Sequence, residues 1–382
     1  MKNSSFFNSI VLLVAITSIN GQISDADFDN LEPKLIEWRH HLHQNPELSN
    51  REFKTAEYVT SHLKSLGIEV LTGVAHTGVV GIIKGNRPGK VVALRADMDA
   101  LPVTERNNLS FKSEVVSTFN GKKTGVMHAC GHDAHVSILM GVAKVLTQNK
   151  DFAGIIKLIF QPAEEGPPPG EEGGARLMVK EGVLENPKVD AIFGLHIRSG
   201  SHVGKITYKP GGMLASSQRF VINVKGKQAH GSTPWKSIDP IVVSAQIING
   251  LQTLISRESE LTKEGAVITI GSIHSGIRFN IIPEHLEMVG TIRTLDKEMK
   301  ELLRNRMNEM VPSIAKAYRA EATLDIQDGA DVTFNNLALT KQMLPTLERA
   351  AGKANVNIMD ALTLAEDFSY FQNEIPGFFF FL

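Results

Sequence analysis

Three short apolar runs constrain the fold of this chain more than any other feature. They lie at residues 91–94 (VVAL), 155–160 (IIKLIF) and 191–195 (AIFGL). Each is nearly continuous in apolar residues, as in strands covered on both faces. Helical patterns at 136–146 and 175–180 separate them. This alternation predicts an α/β fold, with a mostly parallel sheet and helices on both faces. Each run ends in polar chemistry: Arg95-Ala-Asp97-Met-Asp99, Gln161-Pro-Ala-Glu164-Glu165, and His196. Ligands of open α/β sheets bind beyond the carboxyl ends of the strands, so these three stretches are expected to converge there.

Residues 125–135 (GVMHACGHDAH) gather His128, His132, Asp133 and His135 around Cys130, the single cysteine of the chain. Thiolate, neutral imidazole and carboxylate are the donors a borderline-soft divalent metal prefers. Gly131 gives the backbone freedom to turn Cys130 and His132 inward together. The residues alone leave a structural alternative open, a small buried cysteine beside histidines that cap the next helix. Glu164 and Glu165 are adjacent carboxylates at a strand end. On an extended chain they would point in opposite directions, one toward metal and one toward substrate and its protons. By itself such a pair is commonly a solvated surface.

The chain of 382 residues suggests two or three domains, at about 150 residues each. A net charge of −1 gives no case for nucleic acid or an anionic membrane surface as partner. Lys2, an apolar run at 10–19 and then Asn20-Gly21 have the layout of a signal peptide over 1–21. Export to the periplasm or medium is the expectation, with an N-terminal anchor as the alternative. No later run reaches the roughly 18 apolar residues of a membrane span. From Asp25 onward an amphipathic segment passes through Trp38 and Leu42, and its histidine-rich close at 39–43 reads as a solvated helix end. Ser49 and Glu52 read as a capping box, Leu48 and Phe53 as its staple, and Gly67 as the stop of a helix. Glu171 and Glu172 fall in a Gly/Pro-rich loop and read as its solvated face.

Past Gly211-Gly212 the pattern changes. A strand at 220–224, a helix from Asp239-Pro240, strands at 266–270 and 286–292, a helix from Asp296 and a strand at 322–326 follow in turn. The βαββαβ order predicts an inserted ferredoxin-like unit. Pro312 should kink or interrupt its second helix. The expected organisation is a first catalytic part at 25–214, an insert at 215–328 and a second catalytic part at 329–382.

The motifs RADMDALP (95–102), HACGHD (128–133), FQPAEE (160–165) and GLH (194–196) together resemble the N-acyl-amino-acid amidohydrolases. That family includes hippurate hydrolases and auxin-conjugate hydrolases, relatives of the aminoacylase-type dinuclear metallopeptidases. The resemblance runs in order from about Trp38 to the C-terminus, and adds GKQAHG (226–231), FNIIP (279–283), GTIR (290–293) and AEDF (365–368). It implies two divalent ions per subunit (Mn, Zn, Ni or Co) on Cys130, His132, Glu165 and His196, with Glu164 as general base. Asp97 and Asp99 would support the ligands or the substrate end. The insert would be a lid and dimerisation domain. In it, His230 would polarise the scissile carbonyl, in some relatives from the neighbouring subunit, while Asn280 and Arg293 grip carbonyl and carboxylate. The implied protein is a homodimer that cleaves a small N-acyl amino acid to a carboxylic acid and a free amino acid. A dipeptidase or carboxypeptidase using the same site is one other reading; a protein that binds metal or ligand without turnover is another. One departure stands out. The family pattern supplies a further ligand histidine after the AEDF motif, whereas here no histidine follows His285 and the chain closes on PGFFFFL. That run reads as a buried strand cut short. It predicts a truncated protein that holds one metal firmly and the second weakly, with little turnover.

Overall fold

The computed structural model describes residues 30–382, so the apolar run read as an export signal lies outside the described residues. Two helices come first, α1 (Glu32–Gln44) and α2 (Phe53–Ser65), then β1 (Glu69–Val74), β2 (Gly78–Lys84) and β3 (Arg87–Asp97). A hairpin of β4 (Val116–Phe119) and β5 (Lys122–Gly125) leads to α3 (His132–Gln148), β6 (Ala153–Gln161), α4 (Gly174–Lys180) and β7 (Ala191–His196). After β8 (Ile206–Tyr208) and β9 (Gly211–Leu214) the chain enters a second unit. This comprises β10 (Gln218–Lys225), β11 (Ala229–His230), α5 (Pro240–Thr253), β12 (Ala266–Ser275), β13 (Ile281–Ile282), β14 (His285–Thr294), α6 (Lys297–Ala317) and β15 (Glu321–Asp328). The chain then returns to the first unit with β16 (Thr333–Asn335), α7 (Leu337–Ala351), β17 (Val356–Ile358), α8 (Ser369–Glu374) and β18 (Gly377–Phe381).

The main sheet has the order β1-β2-β6-β3-β7-β18-β8-β17. Its centre is parallel, as the apolar runs predict: β3 pairs parallel with β6 and β7, and β7 with β18. The flanks turn antiparallel at β1–β2, β2–β6 and β18–β8, so the sheet is mixed. The few residues between β1 and β2 leave no length for a crossover, and a short connection can only fold back. One face packs on α1, α2 and α3 through Trp38, Leu42, Leu63, Val136 and Met140. The other packs on α4 and α8 through Ala175, Met178, Phe368 and Phe371. The closing aromatic run is a buried strand, with Phe378, Phe379 and Phe381 all inside. It needs a glycine opposite: a Cβ on Gly194 would meet the Phe379 and Phe368 rings at 2.8 and 2.9 Å.

Residues 218–328 carry their own antiparallel sheet, β12-β14-β10-β15, the ferredoxin-like order expected of the βαββαβ pattern. Helices α5 and α6 cover one face, burying Phe220, Ile222, Ile247, Met288, Leu303 and Met307. Asp239 and Asp296 cap the two helices, accepting from Ile241 N and Met299 N. The helix is not interrupted at Pro312, since α6 runs unbroken through it. Met307, Val311 and Ala315 are buried on the sheet one turn either side, and that packing outweighs the single lost hydrogen bond.

Two expectations fail at the start of the chain. Helix α2 begins at Phe53 with no side-chain cap, Phe53 is 62% exposed, and Ser49 and Glu52 form no capping box. The histidine-rich end of α1 is not wholly solvated either, since His43 is buried between Asp133 and Glu105. Among the described residues no helix is long and apolar enough to cross a membrane.

Candidate active site

The ends of β3, β6 and β7 and the start of α3 meet at one edge of the main sheet. Gly131, at φ +98, makes the sharp entry into α3, and a Cβ there would strike the Ile197 side chain at 2.5 Å. The turn brings Cys130 Sγ to 3.3 Å from His196 Nε2. Cys130, His132 and His196 offer donor atoms all within 4.8 Å of one another, as do His132, Glu164 and Glu165. His132 Nε2 lies 3.8 Å from Glu164 and 4.0 Å from Glu165. The four sequence-predicted ligands therefore gather around His132. That imidazole is fully buried, yet neither ring nitrogen has a hydrogen-bond partner, although Nδ1 comes within 3.3 Å of Asp99. Leaving a buried polar atom unsatisfied costs about 1–3 kcal/mol. A thiol, two imidazoles and two carboxylates around unpartnered nitrogen are a donor set that fits divalent cations.

Behind these donors lies a network that orients them. Asp97 Oδ1 accepts from His135 Nδ1 at 2.6 Å, while His135 Nε2 accepts from Ile197 N at 2.9 Å. The two contacts assign His135 a neutral, Nδ1-protonated form. Arg95, wholly buried, donates to Gln161 at 2.8 Å, Asp97 at 2.7 Å, Glu366 at 2.8 Å and Asp367 at 3.1 Å. Asp97 is held well below the ordinary carboxylate range: burial opposes its charge, but Arg95 and His132 outweigh it. Asp367 goes the other way, to about 7, because burial outweighs Arg95 and Glu366 repels it. Sequence reasoning grouped His135 with the candidate metal donors around Cys130, and gave Arg95, Glu366 and Asp367 no individual role. An arginine inside an apolar strand run was the available signal, since a buried guanidinium demands acidic partners.

Glu164 and Glu165 do not lie on extended chain. Strand β6 stops at Gln161, Ala163 takes φ +53, and both carboxylates turn toward the same His132 nitrogen. The expectation of opposite directions fails because a turn replaces the strand. Asp99 accepts from Glu164 N at 3.1 Å and Glu165 N at 3.0 Å. Burial, then the charges of Glu366 and Asp367, push Glu164 well above the usual carboxylate range. Burial tends to lower His196, but the Cys130 thiol and Asp97 bring it up to about 9.

A cavity of about 1820 Å³ opens over the cluster, lined among others by Cys130, Glu164, Glu165, His196 and Arg293. Arg293, on β14, lines the same cavity. His230 and Asn280 do not line this cavity; His230 is exposed and bonded to the Ser232 hydroxyl at 2.7 Å. His128 is buried with both ring nitrogens unpartnered and stands outside the donor clusters.

The family model for peptidase family M20/M25/M40 matches residues 93–382. Thermostable carboxypeptidase 2 of Saccharolobus solfataricus is 43% identical over 359 residues, covering 93% of this chain and 87% of its own length. An N-acetyl-L-cysteine deacetylase of Bacillus subtilis is 36% identical over 369 residues, covering 96% and 84%. A solved Bacillus subtilis structure, described as a dinuclear metal binding peptidase from the M20 family, is similar at a TM-score of 0.78. It is 35% identical, with 92% of this chain and 89% of that one covered.

Proposed function

The chain belongs to peptidase family M20/M25/M40, and from that premise we propose that it hydrolyses the amide bond of N-acyl amino acids. The products would be a carboxylic acid and a free amino acid. The observation that carries this reading is the donor cluster around His132, with the buried carboxyl of Glu164 beside it, at the floor of a cavity. Cys130, His132, Glu165 and His196 would hold two divalent ions, drawn from Mn, Zn, Ni or Co. Bound there, such ions supply a Lewis acid for the amide carbonyl, acidify a water and draw the pKa of Glu164 back down.

The protein's own groups divide the remaining work. Glu164 takes the proton of the attacking water on its carboxylate and returns it to the leaving amine nitrogen. The Arg95–Asp97–His135 network keeps the floor of the site in one arrangement while that proton moves. Arg293, which lines the cavity, is suited to the carboxylate of the amino-acid product through its planar fork. Residues 215–328 act as the lid, and His230, which does not line the cavity of its own chain, stabilises the carbonyl oxygen of a partner subunit's substrate.

The carboxypeptidase relative favours a second reading, cleavage of a C-terminal residue by the same groups. Either reading predicts that Glu164→Gln leaves bound metal unchanged while kcat falls about 10²–10⁴-fold, as for loss of a general base. Steady-state kinetics with elemental analysis of the purified variant checks it; a loss under tenfold removes Glu164 from this role.

A further inference from the structure

The turn that carries Glu164 and Glu165 is unfavourable backbone held in place from outside. Ala163 sits at φ +53, in the left-handed region that residues with a Cβ rarely enter. Such conformations persist only where the surroundings over-determine them. Three successive N–H groups, of Ala163, Glu164 and Glu165, converge here on two buried carboxyls. Glu52 Oε1 accepts from Ala163 N at 2.9 Å. Asp99 takes the other two, at 3.1 and 3.0 Å. Successive N–H groups arranged this way form a concavity for an acidic oxygen.

Asp99 lies just past the end of β3, but Glu52 comes from the segment before α2, which no role has so far explained. Its side chain is fully buried, and its second oxygen accepts from the Thr77 hydroxyl at 2.6 Å. The residues around it form a strap over the same turn. Ser49 Oγ donates to Asp99 at 2.7 Å, Asn50 Nδ2 donates to the Glu172 carbonyl at 3.0 Å, and Ala100 N donates to the Glu47 carbonyl at 2.8 Å. Ser49 and Glu52 fail to cap α2 because their acceptors and donors are committed to the active-site turn.

We infer that Glu52 is a positioning residue for catalysis: its carboxyl holds the Ala163 N–H, fixes the left-handed turn and so sets the direction of the Glu164 carboxyl. This rests on the reading of Glu164 as the proton-carrying group. Burial and the charge of Asp99 lift Glu52 to about 8, so near neutral pH it is largely the uncharged acid. An uncharged acid accepts on one oxygen and can exchange a hydrogen bond with a hydroxyl on the other. Glutamine can do the same; alanine and the shorter aspartate cannot reach Ala163 N.

The test compares E52A, E52Q and E164Q with the unaltered chain. It reads kcat, KM and bound metal after metal loading, and amide hydrogen exchange of residues 162–166 in metal-free protein. In E52A, kcat is expected to fall at least about tenfold with KM and metal content unchanged, since only orientation is lost. Exchange at 163–165 should accelerate at least about tenfold as the local turn loosens. E52Q should bring both back to within about threefold of the starting values. If E52A does not fold, E52D carries the same expectations. The inference is overturned if E52A keeps its kcat while E164Q loses it, or if E52Q is as impaired as E52A. It is also overturned if the E52A loss comes with loss of metal and of cooperative unfolding, which marks a general structural role. Full activity in E164Q would instead remove the role of Glu164, and this inference with it, whatever the exchange data show.

Discussion

A buried imidazole with two unpartnered nitrogens, as at His132, is an arrangement that packing alone would not select. The residues that make sense of it were largely readable from the sequence. Cysteine, histidine and glutamate in short motifs at the ends of apolar runs are rare combinations, so Cys130, His132, Glu164, Glu165 and His196 could be picked out. Glu52 could not, because an acid three residues after a serine has an ordinary explanation as a helix cap, and its true partners, Thr77 and Ala163, lie 25 and 111 positions along the chain. Its titration gives a prediction. With the folded pKa lifted to about 8, against about 4.3 in the unfolded chain, the folded state holds the extra proton between those values. Stability contributed at Glu52 is therefore greatest below the unfolded value, falls as pH rises through the window, and levels off above about pH 8. Urea midpoints of metal-free protein should fall more between about pH 5 and pH 8.5 for the unaltered chain than for E52Q. Parallel curves would mean that Glu52 does not titrate in this range.

At the scale of elements, the parallel centre of the sheet was legible because β3, β6 and β7 are apolar on both faces. The antiparallel flanks were not, since β1 is mostly exposed and β8 is only three residues long. Too short a run carries no period to read. At Pro312 the helix continues for the converse reason: propensity is local, and the packing of α6 is not. The strand β18 links element to site, since it pairs with β7 all the way to His196. Phe379 is wholly buried in it, against Phe368. Phe379→Ala should cost about 3–5 kcal/mol, as for other large-to-small aromatic changes in cores. Denaturant midpoints of unaltered and variant protein measure it, and a loss under about 1 kcal/mol would mean that the site collapses to fill the space.

For the whole molecule, the question is what the 218–328 unit does. His230 lies outside the cavity of its own chain while Arg293 lines it, so a complete site on this reading takes a carbonyl-polarising group from a second copy. E164Q and H230A should each be nearly inactive, yet mixing them through reversible unfolding should restore about a quarter of full activity, because half the dimers regain one of two sites. No recovery in a mixed dimer would mean that His230 does not act across the subunit interface, and full activity of H230A alone would place it outside the reaction. The claim on which all of this depends is the reaction itself. Its most direct measurement is the initial rate of amino-acid release from a panel of N-acyl amino acids and free dipeptides. The panel is run with purified protein saturated in turn with Mn, Zn, Ni and Co, then repeated with chelator and with E164Q. Release is expected from N-acyl amino acids and more slowly from dipeptides, with none under chelator and a rate about 10²–10⁴-fold lower in E164Q. No release from any metal-saturated sample, or release that survives both chelator and E164Q, would contradict it.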